Sequence, residues 1–242
     1  MTSSTDPLLE EAYVFAQQLS STISAFTGQD CVFAALVIGD LVQVAEETGH
    51  GVALTVDGVT HLSLIVEMKC KWDSAGRYLA VEKSTFAVHA GSSTNKEPLF
   101  RYDYVRQPKA PIPCAHLQVH AHRDAFTHAL SSAGRNSRRG KSMSKRTPDK
   151  HPQLSDFHFP LGGPRFRPCL QDLIAALQDE FGLDAADGWH DALAEGRATW
   201  RRQQVGAAVR DAPQEAVRVL TELGYSVTGP QVPERLDRLE QL

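Results

Sequence analysis

The stretch Cys114-Ala-His-Leu-Gln-Val-His-Ala-His122 brings three imidazoles and a thiol into nine residues. On a β-strand, side chains alternate between two faces. Cys114, His116, Gln118, His120 and His122 then share one face, with about 7 Å between successive members. Ala115, Leu117, Val119 and Ala121 share the other, which reads as the buried one. Imidazoles titrate near neutral pH, so a pair can act as base and acid in one reaction. Histidine and cysteine are also zinc ligands, and an amphipathic strand can simply expose a polar face. All three readings stand at this level. The acid/base reading assigns His120 as base and His122 or His158 as acid. His158 sits in Asp156-Phe-His-Phe-Pro160, where an extended backbone turns Phe157 and Phe159 inward and His158 away from them. No fourth ligand or carboxylate can be placed beside the histidines, so no metal ligand is assigned and no cofactor is expected.

Anion-binding groups lie close by in the sequence. Arg101 and Asp103 share a face of the preceding strand, in Arg101-Tyr-Asp-Tyr104. They fit a cross-strand ion pair. They also fit an arginine that holds a phosphate and an aspartate that orients an imidazole. Arg165 and Arg167, in Gly162-Gly-Pro-Arg-Phe-Arg-Pro168, precede a helix whose N-terminus attracts anions. Residues 135–150 hold seven basic side chains, Arg138, Arg139 and Lys141 among them, and one acid. That segment is a solvated loop or an arm for RNA, DNA or an acidic partner. No Walker A loop, G-x-G-x-x-G, G-x-S-x-G or H-E-x-x-H pattern occurs.

The elements that position these groups follow from periodicity. Asp6 and Pro7 suit the start of a helix. Leu8, Ala12, Phe15, Leu19, Ile23 and Phe26 form its apolar stripe. Phe33, Leu36, Val37, Leu41 and Val44 suggest a second helix over 31–45. Period-2 alternation over 62–72 gives a half-buried strand. A turn at 73–76 leads to strands over 78–90, 99–106 and 115–122. Three prolines make 108–113 a loop. Residues 124–132 suggest a short helix and 133–155 a polar loop. Three further helices start at Pro168, Asp187 and Pro213. The expected architecture is α+β: N-terminal helices, an antiparallel meander of four to five strands, and C-terminal helices on or beside the sheet. A core domain over 1–183 and a helical extension over 184–242 are expected.

Composition bounds the class. The 242 residues are 42% hydrophobic and 22% charged, which fits a globular protein. The net charge is −4. The basic segment carries +6, leaving 18 basic against 28 acidic residues elsewhere, a net of −10. Four scattered cysteines suggest neither a disulfide framework nor a zinc ribbon. With no secretory pattern and no membrane-length apolar run, a cytoplasmic protein is expected.

The order of Phe100-Arg-Tyr-Asp103, the proline-rich gap at 108–113, the His120-Ala-His122 strand end and the Pro168-Cys-Leu-Gln-Asp-Leu-Ile174 helix start resembles the TumE-like toxin family of bacterial toxin-antitoxin systems. The resemblance spans roughly 62–177. It implies a toxin-like ribonuclease with Arg101, Asp103, His120 and His122 at the matching positions, and an antitoxin as protein partner. This chain is about twice as long as such a toxin, with added N-terminal, loop and C-terminal segments. The expected function is metal-independent cleavage of RNA. Two alternatives remain: a regulatory or scaffold protein binding a protein or nucleic acid, and a zinc-dependent hydrolase using the same histidines. The C-terminal helices also suit homo-oligomerisation.

Overall fold

In the computed structural model, residues 7–73, 76, 78–107, 114–120 and 169–229 are described, with isolated positions between 125 and 134. Helix α1 (Pro7–Thr27) buries Leu8, Ala12, Ala16, Leu19, Ile23 and Phe26. The spacings of three and four place them on one stripe. Asp6, the expected cap, lies outside the described residues.

The second helix expected over 31–45 is instead a β-hairpin, β1 (Phe33–Ile38) and β2 (Leu41–Glu46). Its turn is Gly39-Asp40, with Gly39 at φ 65°. Glycine adopts that region without a Cβ clash, and a two-residue turn of this kind is a hairpin signature. In β2, Val42 and Val44 are buried while Leu41, Gln43 and Ala45 are not, which is period 2 rather than 3.6. A short apolar run fits either period, and the turn decides between them.

A second hairpin joins β3 (Val52–Val56) to β4 (Val59–Trp72). Asp57 and Gly58 have φ of 52° and 76°. Positive φ at both turn positions is the form that matches strand twist, and Asp-Gly is its preferred sequence. The Asp184 carboxylate accepts the Asp57 and Gly58 amides at 3.1 and 2.8 Å. These bonds hold the Asp184 pKa below the ordinary carboxylate value, the Gly58 amide contributing most. Charged-acceptor bonds of this kind contribute about 1 kcal/mol when solvent-exposed. Asp184→Ala should therefore lower stability by about 1 kcal/mol in urea unfolding.

Strands β5 (Leu79–Ala90), β6 (Phe100–Val105) and β7 (Ala115–Val119) continue the sheet. The order is β1-β2-β4-β5-β6-β7, with β3 also paired to β4, and every pairing is antiparallel. Seven strands stand among the described residues, against four to five expected. The expected meander is β4 to β7; the added strands are β1, β2 and β3.

One face of the sheet is apolar. Leu62, Leu64, Val66, Met68 and Cys70 of β4 are buried, as are Phe86 and Val88 of β5 and Phe100 and Tyr102 of β6. They form one core with α1 and with helix α2 (Leu170–Phe181), which contributes Leu173, Ile174, Leu177 and Phe181. Gln171 of α2 donates to the Thr22 hydroxyl of α1 at 3.4 Å. Gly182, in the left-handed conformation, closes α2. The first turns of α3 (Trp189–Asp211) join this core through Leu193, and the Trp189 ring meets Phe26 edge-on at 5.6 Å. The α+β class holds. The chain divides into two compact units, Met1–Gly196 and Arg197–Leu242, the division falling inside α3. The second unit holds the rest of α3 and helix α4 (Pro213–Glu222). No described helix is long and apolar enough to cross a membrane.

Candidate functional site

The face of the sheet opposite α1 is polar, and strand register sets its layout. Thr85 of β5, Asp103 of β6 and His116 of β7 lie in one cross-strand row. Ala87, Arg101 and Gln118 form the next row. His89 and His120 lie one step further along β5 and β7, because strand side chains repeat on a face every second residue. The His120 amide donates to the Leu99 carbonyl at 3.0 Å, which fixes that row.

The two lower rows form one hydrogen-bonded network. Asp103 is 7% exposed. It accepts from the Thr85 hydroxyl at 2.8 Å and forms an ion pair with Arg101, whose Nε lies 2.8 Å from Oδ2. His116 Nε2 stands 3.9 Å from the same carboxylate. Arg101 Nε also donates to Gln118 Oε1 at 2.6 Å. The guanidinium is thus held by its inner nitrogen. Among the described residues its two terminal nitrogens have no partner, and the side chain is 39% exposed. An arginine fixed in this way presents two parallel donors, the geometry that suits a phosphate or carboxylate.

The upper row carries the two histidines and the loop after β5. His120 Nδ1 lies 2.5 Å from Glu97 Oε1. With Nδ1 as donor to that carboxylate, Nε2 is the acceptor of the neutral ring. His120 Nε2 is buried and has no partner among the described residues. His89 is 6% exposed, and its Nδ1 is likewise buried without a partner. Burial lowers the His89 pKa from its ordinary 6.5; a hydrogen bond to the Lys96 backbone opposes that, and the His120 charge adds to it. Each ring thus buries one nitrogen that has no partner among the described residues.

No protein-family model matches this chain, and no curated protein and no solved structure matches it either.

Of the residues singled out from sequence, Arg101 and Asp103 are in direct contact, and His120 lies on the same sheet face. His122, His158, Arg165, Arg167, Arg138, Arg139 and Lys141 lie outside the described residues. Sequence reasoning placed Gln118 on this face and missed Glu97, Thr85 and His89. His89 belongs to β5 at a position that alternates with Val88, and register counting along β5 would have placed it there. Glu97 sits in an irregular loop with no periodic signal. Among the described residues, no group of three or more His, Cys, Asp or Glu is arranged to hold a metal ion. All four cysteines are free thiols. Burial, then Glu46, pushes the Cys31 thiol up to about 11, so it is not a thiolate at neutral pH.

His89 makes stability depend on pH in a defined direction. Its folded pKa lies below its unfolded value of 6.5. As pH falls, the unfolded chain takes up that proton first, so stability is whole above about pH 6.5 and declines below it. His89→Gln removes this titration. Urea midpoints measured from about pH 7 to 5 should show a shallower decline in the variant than in the native protein.

Proposed function

We propose that this protein is a ribonuclease of toxin type that cleaves RNA by histidine acid/base chemistry. The observation that carries this reading is the Glu97–His120 pair: a carboxylate on Nδ1 and a buried Nε2 with no donor among the described residues. Such a pairing fixes the ring tautomer and leaves Nε2 as the acceptor. A ribose 2′-hydroxyl is a donor of the kind Nε2 lacks. Its proton moves to Nε2 as the 2′-oxygen attacks the adjacent phosphorus and the bond from phosphorus to the 5′-oxygen breaks. An acid returns a proton to that 5′-oxygen, a role assigned to His122 or His158. Arg101, held at Nε with its terminal nitrogens outward, stabilises the charge that develops on the phosphoryl oxygens. The basic segment with Arg138, Arg139 and Lys141, together with Arg165 and Arg167, would hold the RNA backbone without sequence preference. The resemblance to the TumE-like toxins supports the same substrate and adds an antitoxin as partner.

The test is tightly induced expression of the full chain with host growth and total RNA followed over time. Growth arrest with RNA decay supports the proposal. Normal growth with intact RNA at confirmed soluble expression removes it. A regulatory protein that binds a partner is the second reading, and the apolar surface of α4 favours it.

A further inference from the structure

The polar face of the sheet carries a charge pattern that the acid/base reading does not use. Lys69 of β4 and Lys83 of β5 are direct cross-strand partners. Both alternate onto the face opposite α1, in the row next to Glu67 and Thr85. Residues paired in this way have Cβ atoms about 5 Å apart, and like charges there are destabilising. The pair also adjoins a β-bulge. Lys69 pairs with Lys83 while Cys70 pairs with Val81, so Glu82 is the extra residue. A bulge re-aims the side chains around it. Here Glu82 meets Lys71 at 3.2 Å and Arg106 at 3.1 Å.

The acids nearest the lysines are engaged elsewhere. Glu82 is shared by two cations, and Glu67 accepts from Gln43 at 3.3 Å. Asp103 holds Thr85 and Arg101. Among the described residues, no acid lies within ion-pairing distance of Lys69 or Lys83. With Arg101, this side of β4 to β6 and the adjoining Arg106 hold five cations against three acids, a net of +2 on a chain of net charge −4. A single lysine on a surface is ordinary. Two set opposite each other without an acid point to an anion that they share.

The rest of the face indicates which anion. No Phe, Tyr or Trp alternates onto it in β4, β5 or β6. It therefore lacks the aromatic anchors of a protein interface and the rings on which bases stack. Backbone charge is what it can recognise. The Lys83–Val105 row lies two side-chain steps from the Ala87–Arg101 row, about 14 Å along the strands. A small anion reaches one of these rows. A phosphodiester chain, with a charge at every link, spans both within a few nucleotides. We infer that Lys69 and Lys83 form a phosphate-binding site for the backbone of a single-stranded RNA that crosses β5 and β6 to Arg101. The inference rests on the ribonuclease reading for RNA as the strand and for Arg101 at the phosphate that reacts. Contacts of this kind position the strand and do not read its bases.

The test is fluorescence anisotropy of a labelled 2′-O-methyl RNA of about twelve nucleotides with the full chain, over about 50–300 mM salt. Such an RNA has no 2′-hydroxyl to attack, so binding is measured apart from cleavage. Wild type is expected to bind with an affinity that falls as salt rises. Lys69→Gln/Lys83→Gln should raise Kd about tenfold at about 100 mM salt. It should also reduce the slope of log Kd against log salt by about 1.4, the value for two lost single-strand phosphate contacts. Lys69→Arg/Lys83→Arg keeps both charges and should hold Kd within about threefold of wild type. The urea midpoint of the Gln variant should equal or exceed that of wild type, because a like-charge pair is gone. Weaker binding then does not come from a weaker fold. Lysine-dependent binding alongside unmodified RNA that stays intact removes the ribonuclease reading and leaves the site standing. Unchanged Kd and slope in the Gln variant overturn the site, whether or not RNA is cleaved. A wild-type chain that binds no RNA at the lowest salt overturns it as well.

Discussion

His120→Ala is expected to reduce cleavage of a labelled RNA oligonucleotide by about a thousandfold, within the range that loss of a general base produces. The variant keeps its fold, because His120 lies at the end of β7 with its side chain on the polar face. Three companion variants show which effect dominates. Glu97→Gln keeps the shape of the orienting group and removes its charge. Where such a carboxylate is buried, its amide reduces turnover by about ten thousandfold through the wrong tautomer. Glu97 is 48% exposed, so water can replace part of its role, and a loss of roughly tenfold to a hundredfold is expected. Arg101→Ala should cost about a hundredfold by removing the donors to the phosphoryl oxygens. Arg101→Lys should not restore the rate, since a lysine supplies a point charge without the two parallel donors. His89→Gln, in the same row but not in contact with substrate in this reading, should change the rate by less than about tenfold. Wild-type cleavage by the His120→Ala protein would end the assignment.

Much of the scaffold for this face was legible in the sequence, and the reasons differ from element to element. The apolar stripe of α1 repeats at three and four residues across 21 residues, too long for coincidence. The alternation in β4 runs unbroken from Leu62 to Cys70, and burial follows it from Leu64 onward, Ser63 being buried as well with its hydroxyl on the Gly91 carbonyl. The N-terminal hairpin was obscured because Phe33, Leu36, Val37 and Leu41 satisfy a helical spacing as well. The Gly39-Asp40 turn carried the better signal, as did Asp57-Gly58 for β3, since backbone conformation at positive φ is more specific than apolar spacing. The juxtaposition of Arg101 with Asp103 followed from their positions on one strand. The Glu97 contact did not, because a loop side chain reaches its partner by a path that no local period records. His89 was passed over because it stands alone among apolar neighbours. Its chemistry comes from register with β6 and β7, which is a long-range property.

Asp103 separates architecture from chemistry on this face. Its carboxylate is the hub of the lower rows, accepting from Thr85 and ion-paired with Arg101, with His116 alongside. Asp103→Ala leaves the Thr85 hydroxyl without its acceptor and Arg101 held by Gln118 alone. Removing one partner of a fully buried ion pair costs about 3–5 kcal/mol. Arg101 is partly solvated and retains Gln118, which reduces the penalty to about 2–3 kcal/mol. For a chain of this size that corresponds to a fall in Tm of roughly 6–10 °C. Asp103→Asn should recover about half of the loss, because its amide oxygen still accepts from Thr85 while the charge that holds Arg101 is gone. The effect on RNA cleavage should follow Arg101 rather than His120: a rise in KM with a smaller change in kcat, as the guanidinium loses its fixed position. If Asp103→Ala instead matched His120→Ala in kcat while melting at the wild-type temperature, Asp103 would be acting on the reacting groups directly, and the division between a structural lower network and a catalytic upper row would fail.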